Sequence, residues 1–546
     1  MSDFRYDNRG FTLGVAVLGG LIAAFILGRA VANEDFAKIA AIISAVFAST
    51  LILGLGRRYW IAIPVALALN LPTFQVGARN VNLGELSIVI CTVVFITRLA
   101  LKRERLIVFT PYHTAFLCFV AWITLVFAIH PVGLAGLGSA VGGARFYAQI
   151  YLAFAALIIV SSQEITESDI KWVFGLIVVG TFLDLGRTLL EYLVLGRALG
   201  VAGLELETEG YYTWHQALSG PGMVVAIIMF SYWAPSKIFN MGQPWRGFVY
   251  FLCIPLIVLS GKRAAIAQLF ALPVVSAILR KEYRFVVSFG LVMVLGLTFV
   301  VFGQGSIFSL PMAGQRALSW LPADWDPDLT SLRGGSDDFR QALRDIAWEE
   351  IQRDPWISDG FSVDIQETAG QYAMNQITGA PDIRDQVMGL ALGKAWHNTW
   401  LGYSADFGIP LAIIQAFIFL TGIVLSYRLF RATRENTWVH MLAAYAFFFF
   451  LRDVAFSNTS GHTALDAFGR WWLYGMVIAA ARQLLPSKRH GPLPKIGPAV
   501  HQGDGAPLAP LRSAVPSGGS AQSNSCPQNK INLQQQPSQG RPFRAN

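Results

Sequence analysis

Apolar blocks of about 18–22 residues, repeated about fourteen times along the chain, leave few architectures open. The longer blocks suffice to cross a hydrocarbon core of ~30 Å as a helix, while those near 247–280 are short for it. Backbone groups in lipid must find partners within their own segment, so a run of such blocks requires a helical bundle. The blocks lie at 11–31, 37–55, 59–77, 83–101, 110–130, 146–161, 171–190, 217–234, 247–260, 264–280, 285–302, 407–426, 438–456 and 471–485. Composition agrees: 14% of residues are charged, where a soluble chain carries about 25%. The expected fold is therefore an all-α polytopic membrane protein. Before the first block, Asp3, Arg5, Asp7 and Arg9 precede a full-length span with no small-residue cleavage pattern, so the first helix reads as uncleaved.

A net charge of +8 suggests a nucleic-acid partner only until the charges are placed. Arg57–Arg58, Lys102/Arg103/Arg105, Lys237/Arg246, Arg280/Lys281/Arg284, Arg428/Arg431/Arg434 and Lys488/Arg489 fall on one side if the helices alternate. By the positive-inside rule that side is the cytoplasm, which puts both termini inside. Cys91, Cys118 and Cys253 lie within apolar spans and Cys526 in the tail, so the cysteines form neither a disulfide framework nor a metal cluster.

The organisation that follows has four parts. Residues 1–302 carry the first eleven spans, 303–406 form one long hydrophilic loop on the external, periplasmic side, and 407–485 carry the last three spans. Residues 486–546, rich in proline and nearly without acid, make a disordered basic cytoplasmic tail. Long insertions of this kind are usually functional. Within the loop, Phe339, Ala342, Leu343, Ile346, Ala347 and Ile351 repeat at helical spacing and Pro355 stops the run, which predicts an amphipathic helix over Asp337–Arg353.

Cations on the external side violate the charge rule and are informative for that reason. They are Arg145, Arg197, Arg263 after Ser260-Gly261-Lys262, and Arg187 near the external end of its span. A buried cation costs a few kcal/mol unless it is paired or faces a polar cavity. Guanidinium groups converging at one level suit a phosphate-bearing ligand, whose oxygens they take two at a time. Local ion pairs compete with that reading: Asp184 and Glu191 flank Arg187 at helical spacing, and Arg452 adjoins Asp453. His397, in Trp396-His397-Asn398-Thr399-Trp400, stands just before a span, where an imidazole titrates near neutrality and moves protons. His215, among the aromatics of Tyr211–Trp214, is a second external candidate, while His113, His130 and His440 read as packing residues. Asp324, Asp326 and Asp328 alternate as oxygen ligands for Mg²⁺ or Ca²⁺ do, and equally as a solvated turn does.

Three stretches together resemble the O-antigen ligase/polymerase superfamily. His397-Asn398-x-x-Leu401 followed by Asp406 and Gly408 resembles the signature that closes the family's external loop. Arg344-x-x-x-Trp348, then Asp354-Pro355-Trp356 and Gly360, is similar to the loop's Arg…Trp…Pro…Gly run. Ser260-Gly261-Lys262-Arg263 resembles the basic turn before a span. Asp406 stands where glutamate is commoner, Pro410-Leu411 replaces the usual second glycine, and a Pro-Asn pair near Arg197–Gly222 is missing.

The resemblance implies a GT-C-like bundle and an inverting transferase that needs neither metal nor cofactor. The donor would be a glycan on undecaprenyl diphosphate, and the acceptor lipid A core for a ligase or a second lipid-linked repeat for a polymerase of O-antigen or exopolysaccharide. His397 would take the acceptor's proton and Arg263 would stabilise the departing diphosphate. Arg145, Arg187, Arg197, His215, Asn398 and Arg344 would bind substrate. Ligase and polymerase stay open at this stage, because the difference lies in the acceptor. A flippase or transporter of lipid-linked sugar is the competing class. It predicts inverted repeats and broken helices, and neither is evident in the sequence.

Overall fold

A computed structural model describes residues 49–50, 52–68, 74–76, 79–81, 83–106, 109–132, 143–198, 205–362, 396, 398–435, 437–456 and 463–485. Side chains at 68, 74–76, 79–81, 83, 191–198, 205–217, 313, 317, 327–339 and 463–468 are excluded from that description. The expected spans 11–31 and most of 37–55, and the tail after 485, lie outside the described residues.

The described residues are almost wholly helical. A 3-10 turn, Gly56–Ile61, leads into α1 (Ala62–Ala68), and a short hairpin follows in which β1 (Phe74–Val76) pairs antiparallel with β2 (Arg79–Val81). The continuous span expected over 59–77 is therefore replaced by a short helix and a strand, a small departure from an all-helical chain.

The long helices are α2 (Leu83–Ala100), α3 (Pro111–Ile129), α4 (Ala144–Ser161), α5 (Glu167–Ala198) and α6 (Glu205–Tyr232). After the single turn α7 (Pro235–Ile238) come α8 (Pro244–Leu259), α9 (Arg263–Leu279) and α10 (Tyr283–Gly303). The stretch 303–406 contributes α11 (Met312–Leu318), α12 (Pro327–Arg353) and α13 (Thr399–Phe407). The chain then returns to the bundle with α14 (Ile409–Ala432), α15 (Trp438–Ala455) and α16 (Thr463–Leu484). Among the described residues, α3, α4, the first part of α5, α10, α14 and α15 are long and apolar enough to cross a membrane. Leu218–Tyr232, α8 and α9 are apolar but shorter.

Sequence chemistry sets several helix starts. Pro111 opens α3 behind a Thr110 cap, with the Thr110 amide donating to His113 Nδ1 at 3.1 Å. Thr437 caps α15 by accepting from the His440 amide at 3.2 Å. Pro221, Pro255 and Pro273 sit inside α6, α8 and α9, which neighbouring helices make tolerable in a bundle.

Cross-chain bonds sort the helix ends into two levels. At one level Arg58 pairs with Asp169, Arg98 with Glu104, Arg482 donates to the Gln163 carbonyl, and Arg280 donates to the Ser231 carbonyl at 2.8 Å. At the other, Glu85 meets Arg145, Trp122 reaches Phe407, and Arg470 meets Asp453. α2, α4 and α16 each have bonds at both levels and run the same way, from the second level to the first.

The centre of the bundle is the pair α4–α16, the most extensive helix contact. Beside that pair, Phe116 and Phe119 of α3 interlock edge to face with Trp471 and Tyr474 of α16, centroids 5.0–5.2 Å apart. Buried aromatic pairs add about 0.5–1.5 kcal/mol each beyond their area. At the opposite extreme, α10 packs on α9 and exposes Val287, Leu291, Val292, Leu295, Phe299 and Phe302. An apolar helix exposed in this way suits lipid as its surroundings.

Candidate active site

The site end of the bundle is built around α13. Asn398 is extended (φ −148°, ψ 114°) and its side chain accepts the Leu401 amide at 3.1 Å, a cap worth about 1 kcal/mol. At the other end of the helix Asp406 is completely buried, and its Oδ1 accepts the Trp396 indole N–H at 2.8 Å. The two residues flanking position 397 are thus each held by a side-chain hydrogen bond.

A second segment, Asp354 to Phe361, is bonded against α13 through its main chain. The Gly360 amide donates to the Asp406 carbonyl at 2.7 Å, and the Ile409 amide donates to the Pro355 carbonyl at 2.9 Å. Ser358 Oγ donates to the Ala405 carbonyl at 2.6 Å. Gly360 and Gly408 have φ of +65° and +86°, and a Cβ at either would run into Tyr147 or the Trp356 backbone. Only glycine accepts that combination of left-handed backbone and close approach. The bundle fastens the arrangement from below. Trp122 Nε1 donates to the Phe407 carbonyl at 2.9 Å, the Phe361 amide donates to the Tyr147 hydroxyl at 3.2 Å, and the Gly143 amide donates to the Phe361 carbonyl at 3.0 Å. Above it, α12 lays Leu343, Ala347 and Ile351 on Trp396 and Ala405. The amphipathic face expected over Asp337–Arg353 is the face used, although the helix begins earlier, at Pro327.

Arg263 is the first residue of α9, at the same end of the bundle. Its Nε donates to the Arg316 carbonyl at 3.3 Å, an oxygen that also accepts Ser319 Oγ at 2.9 Å. α11 therefore lies beside the turn from Ser260 to Lys262. Lys262 is exposed, and partial desolvation still holds its ammonium below the ordinary lysine range. Arg316 escaped the sequence reading because no motif surrounds it. The signal available was one more arginine on the cation-poor side.

The remaining sequence-derived residues divide. Arg145 is 9% exposed and committed: its Nε and Nη2 lie 3.2 and 3.1 Å from Glu85 Oε1, which also accepts Gln149 Nε2 at 2.6 Å. Arg187 pairs with Asp184 at 2.9 Å, one helical turn away. Arg452 pairs with Asp453 at 3.0 Å, as its position suggests, but Arg470 from α16 also reaches that carboxylate at 3.2 Å. Arg344 lies on the exposed stripe of α12. Arg197 and His215 belong to α5 and α6, with side chains beyond the described set, and His397 lies outside the described residues. His113 hydrogen-bonds Ser161 at 3.2 Å, and His440 packs at a tilt on Phe430 with ring centroids 4.1 Å apart. His130 stands 3.8 Å from Asp359. Among the described residues no three His, Cys, Asp or Glu side chains converge as metal ligands. Asp324 is exposed, and the Asp326 amide donates to Gln315 Oε1 at 3.1 Å.

The basic turn, the roofing helix and the capped α13 all fall between Phe248 in α8 and Ala416 in α14. Residues 248–416 match the O-antigen ligase family. The match supports membership of the O-antigen ligase/polymerase superfamily, as the three motifs from Ser260 to Gly408 imply. Superfamily members are glycosyltransferase-like ligases and polymerases of lipid-linked glycans, working in a membrane. No curated protein matches the chain.

Proposed function

We propose that this chain is an O-antigen ligase-like transferase. It moves a glycan from undecaprenyl diphosphate to a hydroxyl of lipid A core at the periplasmic face of the bacterial inner membrane. The observation that carries the reading is the position of Arg263, braced on Arg316, at the same bundle end as capped α13 and within one O-antigen ligase segment.

His397 takes the proton from the acceptor hydroxyl as its oxygen attacks the anomeric carbon. The bond from that carbon to the diphosphate oxygen breaks, and undecaprenyl diphosphate leaves with the electron pair. Attack from the face opposite the leaving group inverts the anomeric centre. General-base assistance supplies ~10²–10⁴ in rate. Arg263 stabilises the charge that develops on the diphosphate, the role fixed cations fill in such sites. No metal enters the step. Arg197, His215, Asn398 and Arg344 contact donor or acceptor around this centre. Arg145 and Arg187, committed to Glu85 and Asp184, take part only by shaping the field.

The charge rule supports this sidedness, because the opposite end of the bundle carries Arg57, Arg58, Lys102, Arg103, Arg280, Lys281 and Arg284. Purified protein supplied with lipid-linked donor and, in turn, lipid A core and a second lipid-linked repeat tests the reading. Product on lipid A core that disappears in His397→Ala is the expected result. Product on the second repeat alone makes the chain a polymerase. Donor crossing a vesicle with no new glycosidic bond makes it a transporter.

A further inference from the structure

We propose that Asp406 is the positioning residue of the transfer site, acting on the proton-transfer position through Trp396. The inference rests on the reading of His397 as the base. Three observations carry it. Asp406 is completely buried, so a carboxylate there is costly unless its oxygens are bonded. Its Oδ1 accepts the Trp396 indole at 2.8 Å, and Trp396, itself 3% exposed, lies under Leu343, Ala347 and Ile351. Its backbone carbonyl accepts Gly360, so the carboxylate is carried by a backbone position that is itself anchored.

The covalent neighbour before 397 is thus tied to the C-terminal end of α13, and the neighbour after it is tied to the N-terminal end through the Asn398 cap. A base must sit within about 3.2 Å of the proton it removes, and misplacement by 1 Å costs about 10²-fold. Asp406 sets the chain at that tolerance without touching the substrate.

The role asked of Asp406 is that of an oxygen acceptor. Asp406→Asn keeps an acceptor oxygen and should stay within about threefold of wild type, a partial loss in line with a neutral bond replacing a charge-assisted one. Asp406→Leu and Trp396→Phe should each lower kcat about 10²-fold with the KM for lipid-linked donor unchanged, by the geometric argument above. The double variant Asp406→Leu/Trp396→Phe should lose clearly less than the sum of the two single losses, since both remove the Asp406–Trp396 bond. The pH profile of Trp396→Phe should keep its midpoint. Amide hydrogen exchange across residues 396–401 should quicken in Trp396→Phe and Asp406→Leu, but not in Asp406→Asn. That measurement is independent of transfer: if His397→Ala remains active, the assignment of the base fails while the exchange result still decides whether Asp406 pins the segment. Additive losses, a rise in donor KM alone, or a collapse in Asp406→Asn with Trp396→Phe intact would overturn the proposal.

Discussion

Gly408 and Trp356 are packed backbone against backbone, with the Trp356 carbonyl occupying the space a side chain at 408 would need. The contact closes α13 onto the segment from Asp354 to Phe361 and sends the chain into α14 at the required angle. Gly408→Ala therefore meets both a left-handed φ of +86° and a steric block. Strain of this kind costs about 1–3 kcal/mol even before the collision is counted. A clear fall in the thermal midpoint in detergent is expected, and an unchanged midpoint would refute the packing.

Arg145 is expected to behave as part of the fold. Removing one partner of a buried ion pair costs about 3–5 kcal/mol. Arg145→Gln and Glu85→Gln should both destabilise the protein in thermal unfolding, while the folded fraction keeps the donor KM of wild type. Wild-type stability with a raised KM would return Arg145 to the donor site.

Arg263→Lys keeps the charge and discards the planar fork that matches diphosphate oxygens. Donor turnover should fall roughly ten- to a hundredfold, toward the loss seen when one oxyanion donor is removed. Full activity in steady-state assays would confine Arg263 to holding the Arg316 carbonyl.

Cysteine labelling tests the sidedness. A cysteine introduced at Gly370 should react with an impermeant maleimide added to intact spheroplasts, and native Cys526 should not. Cys91 and Cys253 are buried and supply a quiet background, whereas exposed Cys118 needs replacement first. Protection of position 370 would reverse the orientation and move the site to the cytoplasm.

Transfer should persist in excess EDTA, and Asp326→Asn should be mild. Inhibition by chelation, with recovery on Mg²⁺ or Mn²⁺, would shift attention from the arginine turn to Asp324, Asp326 and Asp328.

Much of the bundle is readable because lipid imposes one rule, a full-length apolar run, and loop arginines mark the turns. The face of α12 is readable for the same reason, through Leu343, Ala347 and Ile351 at helical spacing. Its first ten residues are not, since Gly334 and Gly335 weaken any helix signal there. Pairings between distant residues stay hidden. Nothing at Arg145 announces Glu85 sixty positions earlier, and Asp453 shows its neighbour Arg452 but not Arg470. Within the site, motif spacing marks Asn398, Asp406 and Gly408, yet the bond from Asp406 to Trp396 needs the fold. A carboxylate in a signature is as readily a proton carrier as a tether.

The main-chain bonds that join Pro355 to Ile409 and Gly360 to Asp406 have a consequence for how such a chain can diverge. They bring the segment from Pro355 to Gly360 and the start of α14 together independently of what lies between residues 362 and 396. Doubling the length of a stretch between fixed ends costs only about 0.6 kcal/mol of closure entropy. Length and composition there can drift from one descendant to another at small energetic penalty. The anchors hold the reacting geometry constant while the surface offered to an incoming acceptor is rewritten.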